Sequence, residues 1–576
     1  MAFQLSPGVN VTEKDLTTIV PSVATTAAGM AGLFEWGPVG LPVLISTVQE
    51  LGALYGLPRD GNYEYWFTAA NYLGYGSNIK IVRGVDETTA KNATPSNLAA
   101  ILIKQPADGE SVITTTNGTF AARYAGELGN SLMVEFCGGA TTGSAGATFG
   151  SWAFKTLFGG IATQSSYADR LGLSASNDAF HLVVVDKDGK LSGTPNTVLE
   201  KYDSLSIIPG AVNADGTSLY FKTKINAESR YIVVNGSQTS FETGMTAGFT
   251  AGGAGVVAFT KSGDNYFSGG AYYAKMGGGT GAFSGASDLV GGTNGYQLFA
   301  DPDQIDCALL LGGPLTGNHA QQVCDIAKAR KDCVAFVSVP NKNSAEAAST
   351  KLANCTTLRN AIGNNNYAFI DSGYKYMYDP YNDVYRYVPL NGDVAGLCVR
   401  TDITNDPWYS PAGFNRGQIR NVIKLAFNPT KTERDTIYPN GVNPVVTFSG
   451  EGTVLFGDRT AQTRPSAFDR INVRRLFIVL EKAIATAAKY SLFEFNDAFT
   501  RAQFKSLVEP FLRDVQARRG IIDFKVVCDE KNNTPQVIDS NNFVADIYVK
   551  PNRSINFIQL NFVATKTGVS FEEVGA

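Results

Sequence analysis

Few residues of this chain are suited to chemistry. Its 576 residues include only two histidines and seven cysteines. His181 begins an apolar run and His319 lies near an expected helix start, and neither belongs to an H-E-x-x-H or related metal-binding pattern. We therefore expect both to be packed or surface side chains. The cysteines include no C-x-x-C pair, which is typical of reduced thiols and predicts neither a zinc site nor a disulfide framework.

The common nucleophile and phosphate motifs are also missing. Neither G-x-S-x-G nor G-x-x-x-x-G-K-[ST] occurs. Gly312 and Gly313 stand between an expected strand and helix, but Pro314 removes an amide that could donate to a phosphate, so a tight turn is favoured. The DKDGK stretch at Asp186 lacks the later ligands of a calcium loop and predicts a β-turn. The sequence predicts no catalysis, no cofactor and no metal.

Composition and charge narrow the class of protein further. Hydrophobic residues make up 44% of the chain, and 48 basic residues nearly balance 52 acidic ones, for a net charge of -4. These values indicate a globular chain of several domains and argue against a general nucleic-acid binder. The first residues lack a secretory signal pattern, and no stretch approaches 18 uninterrupted apolar residues, so we expect no membrane insertion.

The order of expected elements indicates an α/β region with a β-rich insertion. Residues 101–300 hold 33 of the 60 glycines, between short runs such as HLVVVD, SLYFKTKI and RYIVVN, which is typical of antiparallel β structure. After Asp303, the apolar runs CALLLGG, CVAFVSVP and YAFIDSG alternate with helix-period stretches, which predicts parallel βαβ units. We expect AAGMAGLF and IKIVRGV to add strands to the same sheet.

The C-terminal region predicts two helices followed by three strands. The second helix is expected to begin after Asp497 and to stop at Gly520. Both chain termini alternate apolar and polar residues, which suggests arms that pair with a sheet in the same chain or in a neighbouring one. The alternating apolar residues are Phe3, Leu5, Val9 and Val11 at the N-terminus and Ile558, Leu560 and Phe562 at the C-terminus.

One segment departs from the nearly neutral whole. Residues 464–525 carry 12 basic and 7 acidic side chains. Arg475, Lys482 and Lys489 recur every seven residues and are expected along one side of the first helix, with Arg470 and Arg474 one turn apart near its start. The pattern fits either a solvated helix face or a surface that docks onto an acidic partner.

The sequence resembles the contractile tail sheath proteins of myophages. The resemblance rests on motifs that include SPGV at Ser6, AAGMAGLFEWGPVG, GYKYMYDPYNDVYRYVPLNGDVAGLCVRTD, LFEFNDAFTR and FVADIYVKPNRSINFIQLNFVATKTG. It covers roughly residues 1–90 and 290–576 and is poor between them. It implies a structural subunit that stacks as six-fold rings into a helical tube around an inner tail tube and contracts to drive that tube through the host envelope. It also implies a virion protein, assembled in the host cytoplasm, with baseplate and tail terminator proteins as further partners.

Under this resemblance the chain divides into five segments: an N-terminal linking arm (1–20), a middle α/β domain (21–90 and 300–465), a β-rich outer insertion (91–299), an inner tube-facing domain (466–554) and a C-terminal arm (555–576). The arms are expected to join neighbouring subunits by strand addition, and the five basic residues to face the inner tube. Three alternatives remain open: a sheath from a phage-derived bacteriocin or a secretion or injection machine, an α/β enzyme with a β accessory domain, and a tail adhesin.

Overall fold

The computed structural model describes residues 24–95, 99–105, 112–113, 120–138, 149–150, 152–172, 178–234, 265–268, 271–280, 289–290, 295–557 and 559. These residues divide into two compact units. The larger unit comprises Ala24–Thr404 and Pro411–Pro465, and the smaller one contains Asn405–Ser410 and the chain from Ser466 onward.

The larger unit is a mixed α/β structure. Its strands are β1 (Ala28–Gly32), β2 (Val43–Ile45), β3 (Ile79–Arg83), β4 (Thr94–Pro95), β5 (Phe120–Ala122), β6 (Leu132–Gly138), β7 (Ala179–Asp186), β8 (Thr197–Ser206), β9 (Ile232–Val234), β10 (Asn265–Ser268), β11 (Ala271–Gly277), β12 (Leu309–Leu311), β13 (Val334–Ser338), β14 (Ala368–Asp371), β15 (Tyr374–Asp379), β16 (Val384–Pro389), β17 (Lys424–Leu425), β18 (Val442–Asn443), β19 (Val445–Phe448) and β20 (Gly452–Leu455). Its helices are α1 (Val48–Tyr55), α2 (Tyr63–Leu73), α3 (Ser166–Arg170), α4 (Phe221–Glu228), α5 (Gly317–Arg330), α6 (Ala348–Ile362), α7 (Asn391–Thr404) and α8 (Lys431–Ile437).

A seven-stranded sheet forms the centre of this unit, in the order β18-β14-β13-β12-β1-β3-β2. Every neighbouring pair is parallel except β2 with β3. Helices α5 and α6 connect β12, β13 and β14, so the apolar runs after Asp303 form the expected parallel βαβ units. The near-continuous apolar character of β1 and β13 follows from their position, because every residue of both strands is buried.

The glycine-rich region forms a second, antiparallel sheet in the order β10-β11-β6-β7-β8, with β4 paired to β11. The runs HLVVVD and RYIVVN lie in or overlap β7 and β9. The prediction for SLYFKTKI was wrong, because this stretch contributes helix α4. Phe221 and Ile225 are buried one helical turn apart while Thr223 between them is exposed, whereas a strand would place all three side chains on one face. Burial thus favours the 3.6-residue period.

The smaller unit contains helices α9 (Ile471–Ala488), α10 (Ala498–Ala517) and α11 (Pro535–Asp539) and strands β21 (Ile521–Val527) and β22 (Asp546–Pro551). Its core is built from α9, α10, the β21–β22 hairpin and Trp408. The two long helices agree with the sequence prediction. The third predicted strand is not seen in the described part, since residues 552–557 form no strand and most of the later residues lie outside it.

Helix α10 begins at the residue that the sequence predicted, but its C-terminal end differs from the prediction. The carboxylate of Asp497 accepts the Thr500 amide at 2.8 Å, which confirms the predicted N-cap. At the other end the helix stops at Ala517, and Arg519 rather than Gly520 takes the left-handed conformation, with φ of 66°. Gly520 serves close packing instead, because an added Cβ would lie 3.1 Å from the indole of Trp408.

Candidate assembly surfaces

Ligands of open α/β sheets usually bind at the carboxyl ends of the parallel strands. Here the start of α7 fills that position. The fully buried Asn391 side chain donates to the Gly313 carbonyl at 2.7 Å and accepts from the Gly313 amide at 3.1 Å. It also donates to the Ser338 hydroxyl, at the end of β13, at 2.9 Å. The Gly312–Gly313 turn is therefore a packed strand-to-helix connection whose polar groups are used internally.

A buried ion pair joins β15 to α7. The Lys375 Nζ lies 2.8 Å from an Asp393 carboxylate oxygen, and each side chain is 1% exposed. Lys375 also donates to the Arg420 carbonyl at 3.0 Å, and the Tyr75 hydroxyl donates to Asp393 at 3.1 Å. Burial raises the pKa of Asp393, and the lysine opposes that shift. These partners tie elements together and point to a structural role.

The histidines and cysteines occupy ordinary structural positions. The ring of His181 is buried against Phe158, with centroids 4.2 Å apart, and its Nε2 lies 2.8 Å from the Gly160 carbonyl. His319 is half-buried in α5. All seven cysteines are free and buried, and burial raises the pKa of the Cys137 thiol to about 12. Within the described ranges no cluster of three metal-binding side chains occurs, and no helix is long and apolar enough to span a bilayer.

The predicted basic face of α9 differs in exposure from residue to residue. Arg474 and Arg475 are only 3% and 4% exposed. The Arg474 guanidinium donates to Glu481 at 3.1 Å and lies 4.7 Å from the ring centroid of Phe468. The first half of α9 is buried around most of its circumference, so a seven-residue spacing does not identify a solvated face there.

The remaining basic residues of this set are more accessible. Arg470 and Lys482 are half-buried, and Lys489 is exposed at the C-terminal end of α9. Of the five basic residues, Lys489 is therefore the most accessible to an acidic partner, followed by Arg470 and Lys482. Their contact with an inner tube stays a prediction.

The residues predicted to pair in the two arms lie outside the described residues. These positions are Phe3, Leu5, Val9 and Val11 and, at the other end, Ile558, Leu560 and Phe562. The first residues of the C-terminal arm are described, and their apolar side chains are exposed. Ile555 and Phe557 are 81% and 83% exposed, whereas Ser554 and Asn556 between them are half-buried.

Among the described residues, both edges of the β21–β22 hairpin are open. The two strands pair in antiparallel register from Ile521 with Pro551 to Val527 with Asp546, and they pair with no other described strand. One face packs on the core of the smaller unit through Phe524, Ile547 and Val549. Two-stranded sheets are marginal alone, and unpaired edges accept further strands. The hairpin is therefore suited to strand addition.

Sequence reasoning missed an apolar surface between α9 and α10, which we call the aromatic tip. Its five side chains share high exposure: Tyr490 73%, Leu492 62%, Phe493 105%, Phe495 85% and Phe499 75%. The signal was present in the stretch KYSLFEFNDAF, where apolar residues are dense but follow no helix face. Contiguous exposed apolar patches usually mark interaction sites.

The larger unit contains an open cavity of about 530 Å³, which we call the aromatic groove. Helix α2, the end of β15 and the segment before β17 form its walls. Its apolar lining includes Trp66, Phe67, Ala70, Met377, Tyr381 and Ile423. This groove was also missed, because its walls come from distant parts of the sequence.

Among the described residues, most buried polar groups are used in internal hydrogen bonds, while apolar and open-edged surfaces are exposed, which is typical of a structural protein that acts through assembly. Comparison with known proteins agrees. Residues 315–461 match the phage tail sheath protein central domain, and residues 463–565 match the phage tail sheath C-terminal domain. The tail sheath protein of Vibrio phage KVP40 is 34% identical over 668 residues, with 99% of each chain covered, and that of Enterobacteria phage T4 is 34% identical over 651 residues, with 99% of each covered.

The fold is likewise similar to a crystal structure of a sheath tail protein from Desulfitobacterium hafniense, with a TM-score of 0.52 and 11% identity over 95% of this chain and all of that one. With full-length relatives at 34% identity, the chain belongs to the phage tail sheath protein family. It is a structural subunit of a contractile phage tail sheath in the virion, and the family is not enzymatic.

Proposed function

We propose that this chain polymerises as six-fold rings, which stack into a helical sheath around an inner tail tube. Contraction of the sheath drives the inner tube through the host envelope. Baseplate and tail terminator proteins are the proposed partners at the two ends. Contacts between different patches of identical subunits generate open helical assemblies of this kind.

The observation that carries this proposal is the open-edged β21–β22 hairpin together with the alternating terminal segments. A hairpin whose two edges pair with no other described strand can accept a strand from one neighbour on each side. Segments 1–20 and 555–576 supply the strands, through Phe3, Leu5, Val9 and Val11 and through Ile558, Leu560 and Phe562. Backbone hydrogen bonds of this type tolerate rotation of the folded bodies, so subunits stay connected while the lattice changes shape.

We assign the remaining segments accordingly. Residues 21–90 and 300–465 form the middle domain, 91–299 the outer insertion and 466–554 the domain that faces the inner tube. The proposed contacts with that tube are Lys489, which is exposed, and Arg470 and Lys482, which are half-buried. Charge pairs at a surface are weak, which suits a contact that breaks during contraction.

The arm assignment is tested by deletion of residues 1–20 or of residues 555–576. Each truncated protein should remain folded by circular dichroism, because no described residue of either segment belongs to the core of the smaller unit. Each should fail to form tubes under negative-stain electron microscopy at concentrations where the intact chain does.

A point variant with a matched control sharpens this test. Ile558→Asp, Leu560→Asp and Phe562→Asp together place charge on the apolar side of the predicted strand, whereas Gln559→Asp with Asn561→Asp changes its polar side. The first variant should block assembly and the second should permit it. Normal tubes from either truncated protein would refute the arm assignment.

A further inference from the structure

Two apolar surfaces of the described chain are preformed for a partner. The aromatic tip is the first, and its polar framework holds it rigidly. The Asn496 amide donates to the Asn542 carbonyl at 2.8 Å, and the Arg501 guanidinium, 7% exposed, donates to the Asn496 side-chain oxygen at 3.0 Å. Asp497 caps the next helix. The loop backbone is thus anchored from below while its apolar side chains point outward.

The backbone at the tip supports a functional role for this exposure. Phe493 adopts φ of 71°, a left-handed conformation that bulky residues rarely take, and it is fully exposed. Strain of this kind persists where the surrounding structure holds it, and it is concentrated at binding sites. A rigid aromatic group loses little conformational freedom on binding.

The aromatic groove is the second surface, and its walls are also fixed. The Trp66 indole donates to the Gly56 carbonyl at 2.9 Å, and its ring meets Tyr381 edge-on with centroids 5.0 Å apart. The Asn382 amide donates to the Pro58 carbonyl at 2.8 Å and so holds the turn after β15. A volume of about 530 Å³ lies within the range of natural binding pockets. Ile423, at the rim, is 57% exposed.

The charges beside the two surfaces are complementary. Exposed Glu494 stands between Phe493 and Phe495 of the tip. Arg420 and Lys424, both exposed, flank Ile423 on one wall of the groove. The Arg420 guanidinium donates to the carbonyl of groove residue Gly74 at 2.7 Å, and the Lys424 Nζ lies 4.9 Å from the ring centroid of Tyr376. Both cations are therefore held near the groove.

The opposite charge is also present near this groove. Asp383 accepts from the hydroxyl of the groove residue Tyr378 at 2.7 Å. The groove therefore has a cationic wall at Arg420 and Lys424 and a carboxylate beside Tyr378. An acidic tip is expected to enter with Glu494 toward Arg420 and Lys424.

We propose that the aromatic tip of one subunit inserts into the aromatic groove of a second copy of this chain. The proposal rests on the self-assembly proposed above and names one contact within it. When a patch on one subunit fits a pocket elsewhere on the next subunit, the contact is heterologous. If repeated contacts of this kind do not close into a ring, they build a helical polymer. Aromatic side chains in pockets are also the residues that dominate binding energy at interfaces.

Cross-linking between two single-cysteine variants tests this contact. A Phe493→Cys protein is mixed with an Ile423→Cys protein, the mixture is assembled into tubes and the tubes are oxidised. Both substituted positions are exposed and the seven native cysteines are buried, so the background should be low. We expect a covalent heterodimer in the mixture. As a matched control, Leu44→Cys, at a position 49% exposed in the same unit as the groove, should give none with the Phe493→Cys protein.

Charge reversal provides an independent readout. Glu494→Lys should raise the critical concentration for tube formation about tenfold, which corresponds to about 1.4 kcal/mol. Adding Lys424→Glu should restore assembly. If the tip contacted only a different protein, the second substitution would not restore it. The tip contact would be refuted if the mixed cysteine variants formed tubes without a covalent heterodimer, or if Lys424→Glu did not restore the assembly of the Glu494→Lys protein. Either result would leave the proposed self-assembly intact. Failure of the unmodified chain to form tubes would instead refute the proposed function, and the tip contact with it.

Discussion

Replacing Lys375 by methionine should destabilise the larger unit by far more than the loss of an ordinary lysine. Lys375→Met keeps the length and packing of the side chain but removes its charge. Asp393 then stays 1% exposed without the ammonium group that lies 2.8 Å away in the native chain. The Tyr75 hydroxyl remains as a donor, but it carries no charge. The variant therefore isolates the cost of an uncompensated buried carboxylate.

The expected magnitude follows from burial. Removing one partner of a buried ion pair costs about 3–5 kcal/mol, because the other charge stays desolvated. Lys342→Met is a matched control, since the Lys342–Glu64 pair has the same 2.8 Å separation but its lysine side chain is 53% exposed. Exposed pairs contribute about 0–1 kcal/mol. The double variant Lys375→Met with Asp393→Leu should recover most of the loss, because no charge then remains buried.

The cost should also depend on pH. In Lys375→Met, burial still raises the pKa of Asp393, and the lysine that opposed this shift is gone. A raised native pKa means that the folded chain holds a proton which the unfolded chain has released, so stability is lost as pH rises above about 4 toward the native value. The deficit should therefore be smaller at pH 5 than at pH 8.

Hydrogen exchange measured by mass spectrometry on peptides from β15 and α7 reports the local opening free energy. The exchange rates at each pH are corrected for intrinsic chemistry. A Lys375→Met cost no larger than that of Lys342→Met, or a cost independent of pH, would refute the reasoning.

Two further predictions concern the antiparallel sheet of the larger unit and helix α9. Burial raises the pKa of Glu135 to about 7, and its carboxylate accepts from the Trp152 indole at 3.1 Å. With respect to Glu135, the free energy of unfolding of the sheet should be highest below about pH 4.3. It should fall by up to about 3 kcal/mol as the pH rises from there to about 7. Glu135→Gln should flatten that part of the profile in urea denaturation. For the helix, Lys482→Glu with Lys489→Glu should weaken binding to purified inner tube several-fold at low salt and less at high salt, whereas Lys328→Glu with Lys331→Glu, at exposed positions of the larger unit, should not. Equal binding by both pairs of variants across a salt series would exclude the tube-facing role.

Much of the fold could be predicted from local pattern. The buried strands β12, β13 and β14 appear as short apolar runs because both faces of a parallel sheet are covered. Helices α9 and α10 follow from apolar periodicity, and the Asp497 cap follows from side-chain chemistry at a helix start. Helix α4 was missed because a short segment with aromatic and β-branched residues is ambiguous until burial decides its period.

The surfaces were harder to predict for a different reason. Arg474 and Arg475 fit a basic helix face by spacing, yet both are buried, because exposure depends on what packs around the helix and not on the helix alone. The aromatic groove needs Trp66, Met377 and Ile423 side by side, although Trp66 is more than 300 positions from the other two in the chain. A local sequence pattern cannot predict that residues so distant in the chain lie next to each other.

The sequence alone predicted no catalytic chemistry, predicted a parallel α/β core with a glycine-rich insertion, and showed a resemblance to the contractile sheath family. Those properties depend on residue types and short-range periodicity, which are local. Only the tertiary structure decided that Asn391 fills the carboxyl edge of the sheet, that Lys375 pairs with Asp393 in the core, and that the aromatic tip is exposed. Those properties depend on desolvation, and desolvation is set by contacts between residues far apart in the chain.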